Sequence, residues 1–123
     1  MPVPRITKED LKARLEIADQ AARPFLIDVR LKYPYEHSTL QLPGAHRVSP
    51  SQPDLAKLPR DRDVVAYDSD PDEVTGSRVA AMLVRQGYRV SVLKGGIGEW
   101  IEAKFPVEPR YGTGAASAGG AGA

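Results

Sequence analysis

The chain has 123 residues, 41% hydrophobic and 27% charged, with a formal charge of +1 from 17 basic and 16 acidic side chains. That length fits one compact domain, the interspersed charge lacks the positive field of a nucleic-acid binder, and no apolar run approaches the roughly 18 residues that cross a bilayer. Cysteine is absent, which excludes disulfides, thiolate metal sites and every mechanism that passes through a cysteine nucleophile.

The first residues, Met1-Pro2-Val3-Pro4-Arg5, carry no apolar stretch like the core of a secretory signal, so a cytoplasmic protein is expected. Thr7 followed by Glu9 and Asp10, then Leu11, Leu15 and Ala18 at helical spacing, predicts a capped amphipathic helix. Phe25 to Val29 is a continuous apolar run broken only by Asp28, the pattern of a strand buried on both faces of a parallel sheet. Residues 30 to 44 read as irregular because Pro34, Pro43 and Gly44 interrupt them. Ala45 to Val48 predicts a short strand, and Leu55, Leu58 and Pro59 a helical turn.

Val64 to Tyr67 repeats the buried-strand pattern and runs into the polar stretch Asp68, Ser69, Asp70, Pro71, Asp72, Glu73. From Ser77, the positions of Val79, Ala80, Leu83 and Val84 follow helical spacing, and Gly87 stands where a left-handed C-terminal cap is expected. Val90 to Leu93 predicts another strand, Gly95-Gly96 a turn, and Glu99 to Ile101 the start of a last helix that Pro106 ends. Residues 1–110 are expected to form one domain. From Gly112 to Ala123 only Gly, Ala, Ser and Thr occur, so residues 111–123 are expected to be a disordered Gly/Ala-rich tail. Strands alternating with helices imply a parallel sheet with both faces covered, whose sites lie beyond the carboxyl ends of the strands. Asp28-Val29-Arg30 and the Asp68 to Gly76 stretch both fall there.

Four segments in order resemble the rhodanese-like family: Asp28-Val29-Arg30 its D-V-R, Leu42-Pro43-Gly44-Ala45 its I-P-G-A, Val65-Ala66-Tyr67 the strand before the active loop, and Leu93-Lys94-Gly95-Gly96 through to Trp100 its L-x-G-G-x-x-x-W. The resemblance implies a single α/β domain with a central parallel sheet and helices on both faces. It also implies an active loop comprising Asp68, Ser69, Asp70, Pro71, Asp72, Glu73, Val74, Thr75, Gly76 and Ser77, with Asp28, Arg30 and Arg78 as neighbours. Tyr67 to Ala80 is similar to a subgroup whose loop reads Y-C-x-C-P-x-E, with aspartate at both cysteine positions, so Asp68 replaces the residue that carries the persulfide. Gln41 replaces the histidine of G-H-I-P-G-A, and Leu31 to Leu40 is altered.

Sulfur transfer needs a polarizable thiolate, and no functional sulfurtransferase is expected without one. The expectation is a catalytically inactive rhodanese-like domain, a binding or regulatory module, with no cofactor, no metal, no nucleic acid or membrane partner, and a protein or small molecule of unspecified identity as its ligand. The alternatives are a sulfurtransferase whose cysteines were replaced and a hydrolase using Asp68, since Asp68-Ser69-Asp70 resembles the D-x-D of aspartate-nucleophile phosphatases. A calcium loop built on Asp68, Asp70 and Asp72 lacks the glycine at its sixth position. Asp28 and Arg30 read as loop-fixing residues, His37 and His46 as surface or packing residues, and Tyr88 and Trp100 as core. Asp68 is expected to accept the N–H groups of its own loop as a built-in anion, with a depressed pKa if its acidic neighbours face solvent.

Overall fold

A computed structural model describes residues 3–110; the predicted tail lies outside the described residues. Five strands, β1 (Arg5–Ile6), β2 (Phe25–Asp28), β4 (His46–Arg47), β5 (Asp63–Tyr67) and β6 (Arg89–Leu93), form one sheet in the order β1-β6-β5-β2-β4, every neighbouring pair parallel. A separate antiparallel pair joins β3 (Leu40–Gln41) to β7 (Glu108–Pro109). The helices are α1 (Lys8–Leu15), α2 (Lys32–Glu36), α3 (Val74–Arg85) and α4 (Gly96–Glu102).

The side-chain alternation of each strand builds two cores. Along β5, Val64 and Ala66 pack with Val79, Ala80 and Leu83 of α3, while Val65 and Tyr67 pack with Leu11 of α1 and Ile97 and Trp100 of α4. Because both faces are covered, the central strands read as continuous apolar runs. Trp100 also donates its indole N–H to the Pro106 carbonyl at 2.7 Å, which satisfies the one polar atom of a large buried ring.

Several expected elements change. The first helix is capped as predicted, Thr7 Oγ1 accepting from the Asp10 N–H at 3.1 Å, but it ends at Leu15, short of Ala18. The stretch read as irregular holds α2 and β3. Pro34 is tolerated because it is the third residue of α2, where a helix N–H has no intrahelical partner. Leu55 to Pro59 forms a turn, closed by Leu58 N–H to the Leu55 carbonyl, not a helical element. The helix placed from Ser77 begins at Val74, so Val74, Thr75, Gly76 and Ser77 are its first residues and the loop is limited to Asp68 to Glu73.

Candidate functional site

The carboxyl ends of β2 and β5 lie side by side, with Asp28 opposite Tyr67 in the register. The Asp28 carboxylate, 1% exposed, is engaged by Arg30, whose Nη2 donates to Oδ2 at 2.6 Å and whose Nε donates to Oδ1 at 3.0 Å. Tyr67 Oη donates to the same Oδ2 at 3.1 Å and accepts from the Leu42 N–H at 3.3 Å. Burial and the adjacent Asp28 charge hold the Tyr67 phenol protonated far above its ordinary range. Burial alone would lower the Arg30 pKa, but the bonds to Asp28 outweigh it and leave the pKa raised. Arg30 also donates to the Leu40 carbonyl at 3.1 Å, tying β2 to the segment that follows α2.

One strand over, Asp68 follows β5 and is equally buried at 1% exposure. Its Oδ2 accepts from the Gly76 N–H at 2.5 Å and its Oδ1 from the Asp70 N–H at 3.1 Å. The carboxylate therefore sits against the first turn of α3, where backbone N–H groups have no helical partner. A Cβ on Gly76 would lie 3.2 Å from Asp68 Oδ2 and 3.3 Å from a Val92 methyl, so a bare glycine lets the carboxylate approach. Asp70 fills the same helix end from outside, its Oδ2 accepting from Thr75 Oγ1 at 3.1 Å.

Gly96 closes the loop from α4. Its φ is +65°, and a Cβ there would meet the Asp68 carbonyl oxygen at 2.6 Å, so both conformation and space require glycine. The next residue, Ile97, donates its N–H to that carbonyl at 2.9 Å. Glu73 ends the loop in the left-handed region at φ +56°. Its carboxylate is almost fully buried, takes Arg5 Nε and Nη2 at 2.7 and 3.0 Å, and accepts the Gly95 N–H at 3.1 Å.

The electrostatics of the two loop acids diverge. The Arg5 guanidinium draws the Glu73 pKa down. Burial pushes Asp68 up, and its two N–H bonds do not offset this, with Asp70 and Glu73 adding repulsion. The expected depression of Asp68 is thus corrected: Asp72 faces solvent, but Glu73 is buried and Asp70 is half-buried, and no cation pairs with Asp68 among the described residues.

Of the other expected site residues, Ser69 is half-buried, Pro71 and Val74 are exposed, and Ser77 donates its N–H to the Glu73 carbonyl at 2.9 Å. Arg78 is exposed and joins no ion pair among the described residues; the cation that compensates the loop is Arg5, from a strand that sequence reasoning missed. Among the described residues no three His, Asp or Glu side chains gather to hold a metal ion, and the Asp68 and Asp70 carboxylates turn to backbone N–H groups. Gln41 donates to Glu108 at 2.7 Å across the β3–β7 pair. His46 stacks on Phe25 at 4.3 Å. Two open clefts of about 250 Å³ each flank that stack, away from the Asp68 loop.

The rhodanese-like domain family model matches residues 7–103. The chain belongs to that family. The BH2092 protein from Bacillus halodurans is similar over 93% of this chain and 88% of its own, at 18% identity and a TM-score of 0.73. The Alr3790 protein from Anabaena sp. is 26% identical, covering 91% of this chain and 86% of its own, with a TM-score of 0.70. A rhodanese-related protein from Thermoplasma volcanium covers 85% of this chain and 97% of its own, at 19% identity and a TM-score of 0.64. No curated protein matches the chain. Among the described residues no helix is long and apolar enough to cross a membrane.

Proposed function

We propose that this rhodanese-like domain is a catalytically inactive binding or regulatory module, in which Asp68 stands at the position of the family's persulfide cysteine. One observation carries the reading: the Asp68 carboxylate is buried and already accepts the Gly76 and Asp70 N–H groups. A loop of this kind stabilises an anion with inward N–H donors. Here those donors are used by the protein's own side chain, and a second anion would meet its charge at short range.

The chemistry points the same way. Transfer of sulfane sulfur needs a thiolate that attacks sulfur and retains it as a persulfide. A carboxylate is a hard oxygen nucleophile and forms no stable adduct of that type, and the chain has no cysteine to take its place. Nor is Asp68 set up as an aspartate nucleophile for phosphoryl transfer, because both of its oxygens are engaged and its pKa is raised.

The test is a thiosulfate:cyanide sulfurtransferase assay on the chain as it stands and on Asp68→Cys. Neither is expected to reach ordinary family rates, and the parent is expected to give no thiocyanate above a blank without protein. Thiocyanate formation by the cysteine-free parent would overturn the reading. Full rates from Asp68→Cys would show that the surrounding loop is still built for sulfur transfer.

A further inference from the structure

We propose that the open cleft at the amino end of the sheet, between Leu15 at the end of α1 and the His46–Phe25 stack, binds a small carboxylate with an apolar body, of the size of phenylacetate. Asp68 lies at the opposite, carboxyl end of the strands, so this site does not depend on the inactivity of that loop.

The cleft has a volume of about 250 Å³ and lies where strands begin. Phe25 is the first residue of β2, His46 the first of β4, and Arg62 immediately precedes β5. Gln20 and Arg23 border it from the short 3-10 helix Gln20–Ala22 and the residue after it. Convergence of this kind requires the folded chain. Pockets for drug-sized ligands run to about 300–1,000 Å³, so this one suits a smaller molecule. Leu15, Phe25, Leu26 and Pro43 give it an apolar wall for the body of the ligand to cover.

The charge around this wall is one-sided. Arg23 and Arg62 line the cleft, and no aspartate or glutamate does. Neither arginine joins an ion pair among the described residues. Asp63, next to Arg62 in the chain, is taken by Arg14 and Arg89 at 2.7 and 3.1 Å. Asp61, on its other side, is exposed and does not border the cleft. Asp19 turns to the Ala21 N–H at 3.0 Å. Uncompensated cations beside an apolar wall favour an anion with an apolar body over a bare ion, which leaves the wall wet, and over a neutral apolar molecule, which leaves the charge unmet.

The donors are already placed. Arg62 Nε donates to the Arg23 carbonyl at 2.7 Å and its Nη2 to the Gln20 carbonyl at 3.2 Å, and its guanidinium carbon is 5.8 Å from the centroid of the Phe25 ring. Those three residues all border the same cleft, so the Arg62 guanidinium stands at its wall. Arg23 is held by donation from Nε to the Ile17 carbonyl at 2.6 Å. Arg62 Nη1 and both terminal nitrogens of Arg23 bond to no described residue. Since no buried side-chain nitrogen or oxygen is left unsatisfied among those residues, these three nitrogens reach solvent. Guanidiniums fixed by carbonyl bonds lose little side-chain freedom when a carboxylate binds.

The experiment is a two-dimensional NMR titration of the full chain, following backbone amides and arginine Nε–H groups, with sodium phenylacetate replacing sodium chloride at constant ionic strength. Saturable shifts at Leu26, Gly44, His46 and Arg62 are expected, with a dissociation constant in the millimolar range or tighter. Sodium acetate keeps the charge and phenethyl alcohol keeps the ring; each should bind at least about tenfold more weakly than phenylacetate. Arg23→Gln and Arg62→Gln should each weaken phenylacetate binding by about tenfold, the loss of one charge-assisted contact. Shifts that never saturate, that fall on the Asp68 loop instead, or that phenethyl alcohol reproduces at equal concentration would overturn the proposal. So would binding that persists unchanged in both glutamine variants. Should Arg62→Gln fail to fold for want of its two carbonyl bonds, Arg23→Gln and the two partial ligands read the same cleft. Failure here leaves the sulfurtransferase result untouched, so the two readings fall separately.

Discussion

Asp28 and Asp68 end or follow neighbouring strands of one sheet and are equally buried, yet they are held in opposite ways. Asp28 has a guanidinium on both oxygens and a phenol besides; Asp68 has two backbone N–H groups and, among the described residues, no cation. A buried carboxylate with a fixed counter-charge is a structural joint, and its loss leaves an unpaired charge behind. A buried carboxylate held only by dipoles is charged at a cost set by desolvation. The same residue type at the same depth thus serves as a fastener in one place and as a plug in the other.

The comparison breaks most easily at the fastener. Asp28→Asn leaves the Arg30 guanidinium buried without its partner and is expected to cost about 3–5 kcal/mol, read by urea denaturation at pH 7. A loss under 1 kcal/mol would mean that Arg30 finds water, and the contrast with Asp68 would lose its basis. Next in size is Glu73→Gln, expected to cost about 1–2 kcal/mol at pH 7 through the lost charge-assisted bonds to Arg5. The folded-state pKa of Glu73 is depressed, so its contribution is present above the unfolded value and vanishes as pH falls through the folded one. The parent and the variant should therefore converge in acid.

Asp68→Asn is expected to have the smallest effect and the opposite sign. Its pKa is raised in the folded state, so the parent is favoured below the unfolded value, about 3.9, and loses stability as pH rises from there through the folded value. Relative to the parent, the asparagine variant should gain on the order of 1 kcal/mol across that window. Denaturation of both proteins at a series of pH values measures it. A difference that moved the other way would show that the two N–H bonds outweigh desolvation.

The sequence was most readable where burial is symmetric. Phe25 to Asp28, Val64 to Tyr67 and Val90 to Leu93 stand out because both faces of a central parallel strand are apolar. β1 and β7 have two residues each and are defined by backbone pairing with distant partners, so no local pattern marks them. α2 was hidden by Pro34, which reads as a breaker unless its place in the first turn is known. The engagement of Asp68 with its own loop follows from an acid placed before a helix. Its pKa direction does not, because the guanidinium that would have neutralised the loop comes from Arg5 and goes to Glu73. Arg23 and Arg62 carried no signal either, since nothing local shows that they border one cleft.

The pairing of β1 with β6 and of β7 with β3 has a consequence for how the chain acquires its shape. Arg5 registers with Val92, and Leu40 with Pro109, so the earliest strand waits for a late one and the latest strand returns to an early one. Contacts so far apart along the chain carry a large closure entropy and form slowly. In order of synthesis, β2, β4 and β5 all precede β6. Until β6 emerges, one edge of β5 stays open, and such an edge invites pairing with other chains.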